Sequence, residues 1–252
     1  MARIGILGCS GRMARAISAL LQTSADARIG GCLGRGEDPA PFAAACDVLA
    51  DFTAPDALAR HLDAAVAAGT PIVIGTTGLT AEHHAAIDRA ARKIAVLQSA
   101  NMSLGVNLLA FLVKETAARL GDDWDVEILE MHHRAKVDAP SGTALLLGEA
   151  AAQGRGVALA EVGERGRDGM TGPRRSGYIG FASLRGGSVA GDHQVIFATD
   201  GERLELGHRA ESREIFARGA IRAALWLCDR PHGRYDMADM LGLGERRGAA
   251  AE

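Results

Sequence analysis

Through the first hundred residues, short aliphatic runs alternate with stretches whose apolar positions recur at helical spacing. Arg3 to Leu7 is a β-branched run that stops at Gly8, and from Arg12 to Leu21 the residues Met13, Ile17, Leu20 and Leu21 share one helical face. Further strands are predicted at 29–33, 48–52, 71–74 and 94–97, with helices at 55–68 and 80–91. Buried strands alternating with helices build a parallel, doubly wound α/β sheet. After Asn101 the rhythm changes. A long amphipathic helix is predicted at 104–120, a strand at 126–131 that runs into HHRAKVDAPSGTA, and a helix at 141–153. Strands follow at 178–184, 194–199 and 203–208. Asp200-Gly201 lies between the last two, where Leu204, Leu206 and His208 alternate with Arg203, Glu205 and Gly207, the pattern of a hairpin. The helix at 214–227 is expected to return the chain to the first domain. The division expected is 1–103 with 213–252 for the parallel sheet, and 104–212 for a second α+β domain carrying a mixed or antiparallel open sheet.

Composition narrows the class. A chain of 252 residues, 48% hydrophobic and 23% charged, is an ordinary globular protein, neither disordered nor collagen-like. With 28 basic residues against 31 acidic ones there is no basic field for nucleic acid or an anionic membrane, so an anionic ligand must be caught locally. Cys9, Cys32, Cys46 and Cys228 show no metal-ligand spacing and are expected as reduced thiols of a cytoplasmic protein. MARIGILGCSGRMA lacks the layout of a signal peptide, no apolar run is long enough to span a membrane, and the C-terminal GERRGAAAE is expected to fray.

Between the first strand and the first helix stands Gly8-Cys9-Ser10-Gly11-Arg12-Met13-Ala14. Side chains at Gly8 and Gly11 would obstruct a tight turn and a pyrophosphate, whereas the first N–H groups of the helix point at the anion, and Arg12 adds charge. The alternative is a pair of plain turn glycines. A dinucleotide site usually carries an acidic residue at the end of the second strand. Here that strand ends Leu33-Gly34-Arg35, which favours a 2′-phosphate and hence NADPH, with NADH possible through Glu37 or Asp38.

His132, His133, Arg134 and Lys136 form the dense cationic cluster of the chain. Ser141 follows Pro140 as a helix N-cap, and Gly142 and Thr143 offer first-turn N–H groups and a hydroxyl to a carboxylate. This suits a small, multiply anionic substrate; solvated charges at a strand end are the bland alternative. Lysine stands only at Lys93, Lys114 and Lys136, every other basic residue being arginine, so a lysine inside this cluster points to a group that must release a proton. Paired histidines on a strand point to opposite faces and no third ligand has suitable spacing, so no metal is expected.

GCSGRMA, DFTAP, VIGTTG, SANMSLGVN, EMHHRAKVDAPSGTA, GFASLRGG and GERLELGHRAESR occur in this order over nearly the whole chain. Together they resemble the dihydrodipicolinate reductase family. The resemblance implies an N-terminal Rossmann domain, a C-terminal α+β domain whose open sheet builds a homotetramer, and an NAD(P)H-dependent reduction in diaminopimelate and lysine biosynthesis. It also implies the pyrophosphate on Gly8, Cys9, Ser10, Gly11, Arg12 and Met13, with Arg35 at the adenosine ribose or its phosphate. The nicotinamide side is implied at Gly75, Thr76, Thr77, Ser99, Ala100, Asn101 and Met102. His132 and Lys136 are implied in proton transfer and His133, Gly142 and Thr143 in substrate binding, where Ser141 joins them by its place at the helix start. Two departures stand out: Gly34 replaces the family's acidic residue, and the connection from Arg35 to Asp47, about 11 residues, is short for a parallel crossover, so an element there is missing or abbreviated. Another small Rossmann imine or oxo-acid oxidoreductase, or a nonenzymatic NADPH-binding sensor, are the rival functions.

Overall fold

A computed structural model describes residues 1–243; the expected frayed end, GERRGAAAE, lies outside them. The chain divides into two compact units, Met1–Leu104 with the chain from Glu214 on, and Gly105–Arg213.

In the first unit the elements are β1 (Ala2–Leu7), α1 (Arg12–Leu21), β2 (Ala27–Leu33), α2 (Pro39–Ala44), β3 (Val48–Asp51), α3 (Pro55–Ala68), β4 (Ile72–Ile74), α4 (Ala81–Ala91) and β5 (Ala95–Gln98). The second unit contributes α5 (Leu104–Arg119), β6 (Asp125–His132), α6 (Gly142–Arg155), α7 (Leu159–Val162), β7 (Gly163–Glu164), β8 (Ile179–Arg185), β9 (Gly191–Thr199) and β10 (Glu202–Ala210). The first unit resumes with α8 (Glu214–Leu227), β11 (Gly233–Tyr235) and α9 (Met237–Leu241).

Six parallel strands run in the order β11-β5-β4-β3-β1-β2. Buried clusters fill both faces of this sheet. Ile4, Ile6, Ile17, Leu97 and the alanines of α8 belong to one, and Leu7, Leu49, Leu58, Ile72, Ile74 and Ile87 to the other. This is why these strands read as unbroken aliphatic runs. The short crossover between Arg35 and Asp47 is abbreviated rather than missing: Asp38 accepts a hydrogen bond from the Ala40 N–H and starts the six-residue α2.

The expectation of four reduced thiols needs correction. Cys9 and Cys32 form a disulfide, with Cα atoms 5.5 Å apart, whereas Cys46 and Cys228 are free. Spacing along the chain gave no hint of this. Parallel pairing of β1 with β2 sets Ile6 beside Cys32, and the turn after β1 then brings Cys9 back over that strand end.

The second unit holds a mixed sheet ordered β10-β9-β6-β8-β7, in which β6 pairs antiparallel with β9 and parallel with β8. Strict alternation in β6 turns Val126, Ile128, Glu130 and His132 to the buried face and Leu129 and Met131 to the other. Phe181, Val195 and Phe197 complete the core with α5 and α6. Asp200-Gly201 closes the β9–β10 hairpin, Gly201 at φ +89°.

Candidate functional site

In the first unit, β1 ends at Gly8, whose φ of +94° suits glycine, and Gly11 donates its N–H to the Gly8 carbonyl at 2.9 Å. Gly11 caps α1 without a side-chain hydrogen bond, leaving the first-turn N–H groups for an anion. A cavity of about 260 Å³ is lined by Met13, Gly75, Ala100, Asn101 and Met102, together with Phe52 and Phe216. Five of the expected nicotinamide-side or turn residues are thus brought together, and the two phenylalanines are additions: Phe52 stands in the DFTAP segment without an assigned role, and Phe216 lies in no motif. A Cβ on Gly75 would collide with the Phe52 ring. Thr76, Thr77 and Ser99 stand outside this lining. These features fit a dinucleotide.

The end of β3 organises the loops around the cavity. Buried Asp51 accepts hydrogen bonds from the Thr53 N–H at 2.9 Å, the Thr53 hydroxyl at 2.6 Å and His61 Nδ1 at 2.8 Å. At the end of β2, Arg35 is exposed, and the Glu37 carboxylate accepts the Gly34 N–H at 2.5 Å. A carboxylate therefore stands at the strand end after all, supplied by the loop.

In the second unit the cationic cluster is a strand–turn–helix. His132, at the end of β6, donates from Nδ1 to Glu130 Oε2 at 2.6 Å. Glu130 is 1% exposed and also receives Arg185 Nη1 at 2.8 Å, Arg185 Nη2 at 2.9 Å and the Ser141 N–H at 3.2 Å. Burial would push its carboxyl up, but hydrogen bonds from Arg185 and His132 hold it down to about 2. Lys136 Nζ donates to both Asp138 oxygens, at 2.8 and 2.9 Å. The Asp138 carboxyl is held below its ordinary range by that hydrogen bond. His133 Nε2 accepts from Arg213 Nη2 at 2.9 Å.

Ser141 caps α6, its Oγ accepting the Ala144 N–H at 3.1 Å and lying 3.1 Å from His193 Nε2. Burial, and after it the neighbouring His132, lowers His193 to about 4. A Cβ on Gly142 would meet no heavy atom within 4 Å, so the helix start is open to a ligand. Sequence reasoning missed Glu130, Asp138, Arg185, His193 and Arg213. Glu130 carried a signal, since it is two residues from His132 on one face of a strand.

A family model for the N-terminus of dihydrodipicolinate reductase matches residues 2–102, and one for its C-terminus matches 105–241. The chain belongs to the dihydrodipicolinate reductase family. It is 56% identical over 248 residues to the 4-hydroxy-tetrahydrodipicolinate reductase of Zymomonas mobilis, covering 96% of this chain and 97% of the relative. The reductase of Caulobacter vibrioides is 49% identical over 249 residues, covering 95% and 97%. Among solved structures, a dipicolinate-bound dihydrodipicolinate reductase from Paenisporosarcina sp. TG-14 shares the fold, with a TM-score of 0.76 at 23% identity over 95% of this chain and 98% of that one.

Proposed function

We propose that this member of the family reduces 4-hydroxy-tetrahydrodipicolinate to tetrahydrodipicolinate with NAD(P)H, a step of diaminopimelate and lysine biosynthesis. The observation that carries the reading is the single strand–turn–helix that presents His132, His133, Lys136 and the α6 N-terminus together. Loss of the substrate's hydroxyl as water leaves a conjugated C=C–C=N ring with two carboxylates. The nicotinamide cofactor, when bound, supplies a hydride. His133, Ser141, Gly142 and Thr143 bind the carboxylates. The electron pair left on the ring takes a proton from Lys136 or His132, and stabilising that electron-rich ring is where the protein lowers the barrier.

Gly8, Cys9, Ser10, Gly11, Arg12 and Met13 would hold the pyrophosphate, and Gly75, Thr76, Thr77, Ser99, Ala100, Asn101 and Met102 the nicotinamide side. Arg35 supports a preference for NADPH through the 2′-phosphate, while Glu37 at the Gly34 N–H supports use of NADH through the ribose hydroxyls. A homotetramer is proposed through the open face of the second sheet.

The test is nicotinamide absorbance in a coupled assay, with substrate made in place from pyruvate and aspartate semialdehyde by the upstream synthase. Synthase-dependent oxidation, faster with NADPH, is expected, and Arg35→Ala should raise KM for NADPH far more than for NADH. Folded, NADPH-binding protein that oxidises neither cofactor would overturn the proposal.

A further inference from the structure

We infer that Glu130, clamped by Arg185, is the positioning residue that fixes the proton of His132 on Nδ1 and sets the loop carrying Lys136. The inference rests on the reductase reading only for its kinetic consequences. Three parts of the second unit converge on this one buried carboxylate: His132 from β6, Arg185 from the end of β8 and the Ser141 N–H at the start of α6. Strand register brings them there. Glu130 lies opposite His193 on β9 and Ser183 on β8, and His132 lies opposite Arg185.

A guanidinium stays charged and donates two parallel bonds, so Glu130 remains an ionised acceptor. The nitrogen facing it must therefore carry hydrogen, which leaves Nε2 as the nitrogen that gains and loses a proton. Gly191, at φ +154°, keeps that nitrogen accessible: a Cβ there would stand 3.0 Å from His132 Nε2. The same arginine acts on the second candidate donor. Its Nη2 also donates to the Asp138 carbonyl at 2.6 Å, and the Asp138 carboxylate holds Lys136 Nζ. Thus one ion pair places both proton-bearing groups and the helix start proposed for the substrate carboxylate.

An ion pair that only supported the fold would leave the tautomer of His132 and the pH profile alone. The groups bearing on that profile are Glu130 on the same strand, Arg185 from β8, His193 from β9 with its ring 5.1 Å from that of His132, His208 beyond it on β10, and Lys136 and Asp138 from the loop.

The experiment is ¹⁵N-detected NMR of the histidine side chains in the unliganded protein, with His132→Gln assigning the signal, followed by kinetics of Glu130→Gln and Arg185→Lys. In the native protein neutral His132 is expected as the Nδ1–H tautomer. Glu130→Gln should shift it toward Nε2–H, lower kcat about 10- to 100-fold, move the basic limb of the kcat profile to lower pH and leave the Kd for NADPH within twofold. Arg185→Lys should lower kcat similarly, because an ammonium cannot make both carboxylate bonds and reach the Asp138 carbonyl. An Nε2–H tautomer in the native protein overturns the inference without any variant, as does an unchanged tautomer in Glu130→Gln. The expected tautomer in a protein without coupled-assay turnover would sustain the positioning and remove the reductase reading instead.

Discussion

Lys136 Nζ lies 2.8 Å from Asp138 Oδ1 in a chain that otherwise entrusts positive charge to arginine at all but two positions. Removing the ammonium should lower kcat by about 100- to 10,000-fold, the usual worth of a general acid, while nucleotide binding persists. Lys136→Arg keeps the charge and can pair with Asp138 but does not release a proton, so steady-state kinetics should show no rescue. Near-normal turnover in the arginine variant would assign the proton to His132. His193 supplies a second residue-scale prediction. Its folded value of about 4 lies below the ordinary 6.5, so the unfolded chain binds more protons between these values, and stability rises with pH across that window. Acidification from pH 6.5 to 4 should cost on the order of 3 kcal/mol at this residue. Urea melts of His193→Gln should show a shallower loss over that range; an unchanged slope would mean His193 does not titrate this way. His132 and Lys136 were legible in the sequence because they lie in one short segment. Arg185 and His193 were not, since strand register over more than fifty residues brings them to Glu130.

At the scale of elements, α6 joins stability to binding. Ser141 is its N-cap and its backbone N–H is tied to Glu130, so the helix start is fixed on two sides. Ser141→Ala should cost about 1 kcal/mol, the typical worth of such a cap, seen as a fall in Tm of roughly 2–4 °C for a protein of this size. It should also raise KM for the dicarboxylate substrate more than it lowers kcat. A lower Tm with unchanged KM would confine Ser141 to the fold. Most helices and strands were legible because their periodicity matches what they bury. The exceptions are short. In α2, PAPFAA has no full helical period and is started by Asp38; β11 is three residues made an edge strand by pairing with β5; β7 is two residues added to β8. Partners elsewhere in the sheet or a cap define such elements, so local pattern cannot.

For the whole molecule, the open face of the second sheet is the surface proposed to set the association state. Leu129, Met131 and Leu184 share a shallow concavity of about 460 Å³ with Gln194 and Glu205, and Leu184 is 48% exposed. An apolar strand face bordered by polar groups is suited to burial against another copy. Among the described residues no helix is long and apolar enough to cross a membrane. Sedimentation velocity should therefore report about four times the 26.2 kDa chain mass at assay concentrations. Leu184→Arg places an unpaired charge in the proposed contact, whose desolvation the contact cannot offset. The variant should sediment as a smaller species with an unchanged circular dichroism spectrum, because the side chain lies on the face away from the Phe181 and Phe197 core. A native chain that sediments as a monomer would refute the assembly. A tetramer indifferent to Leu184→Arg would move the contact to another surface.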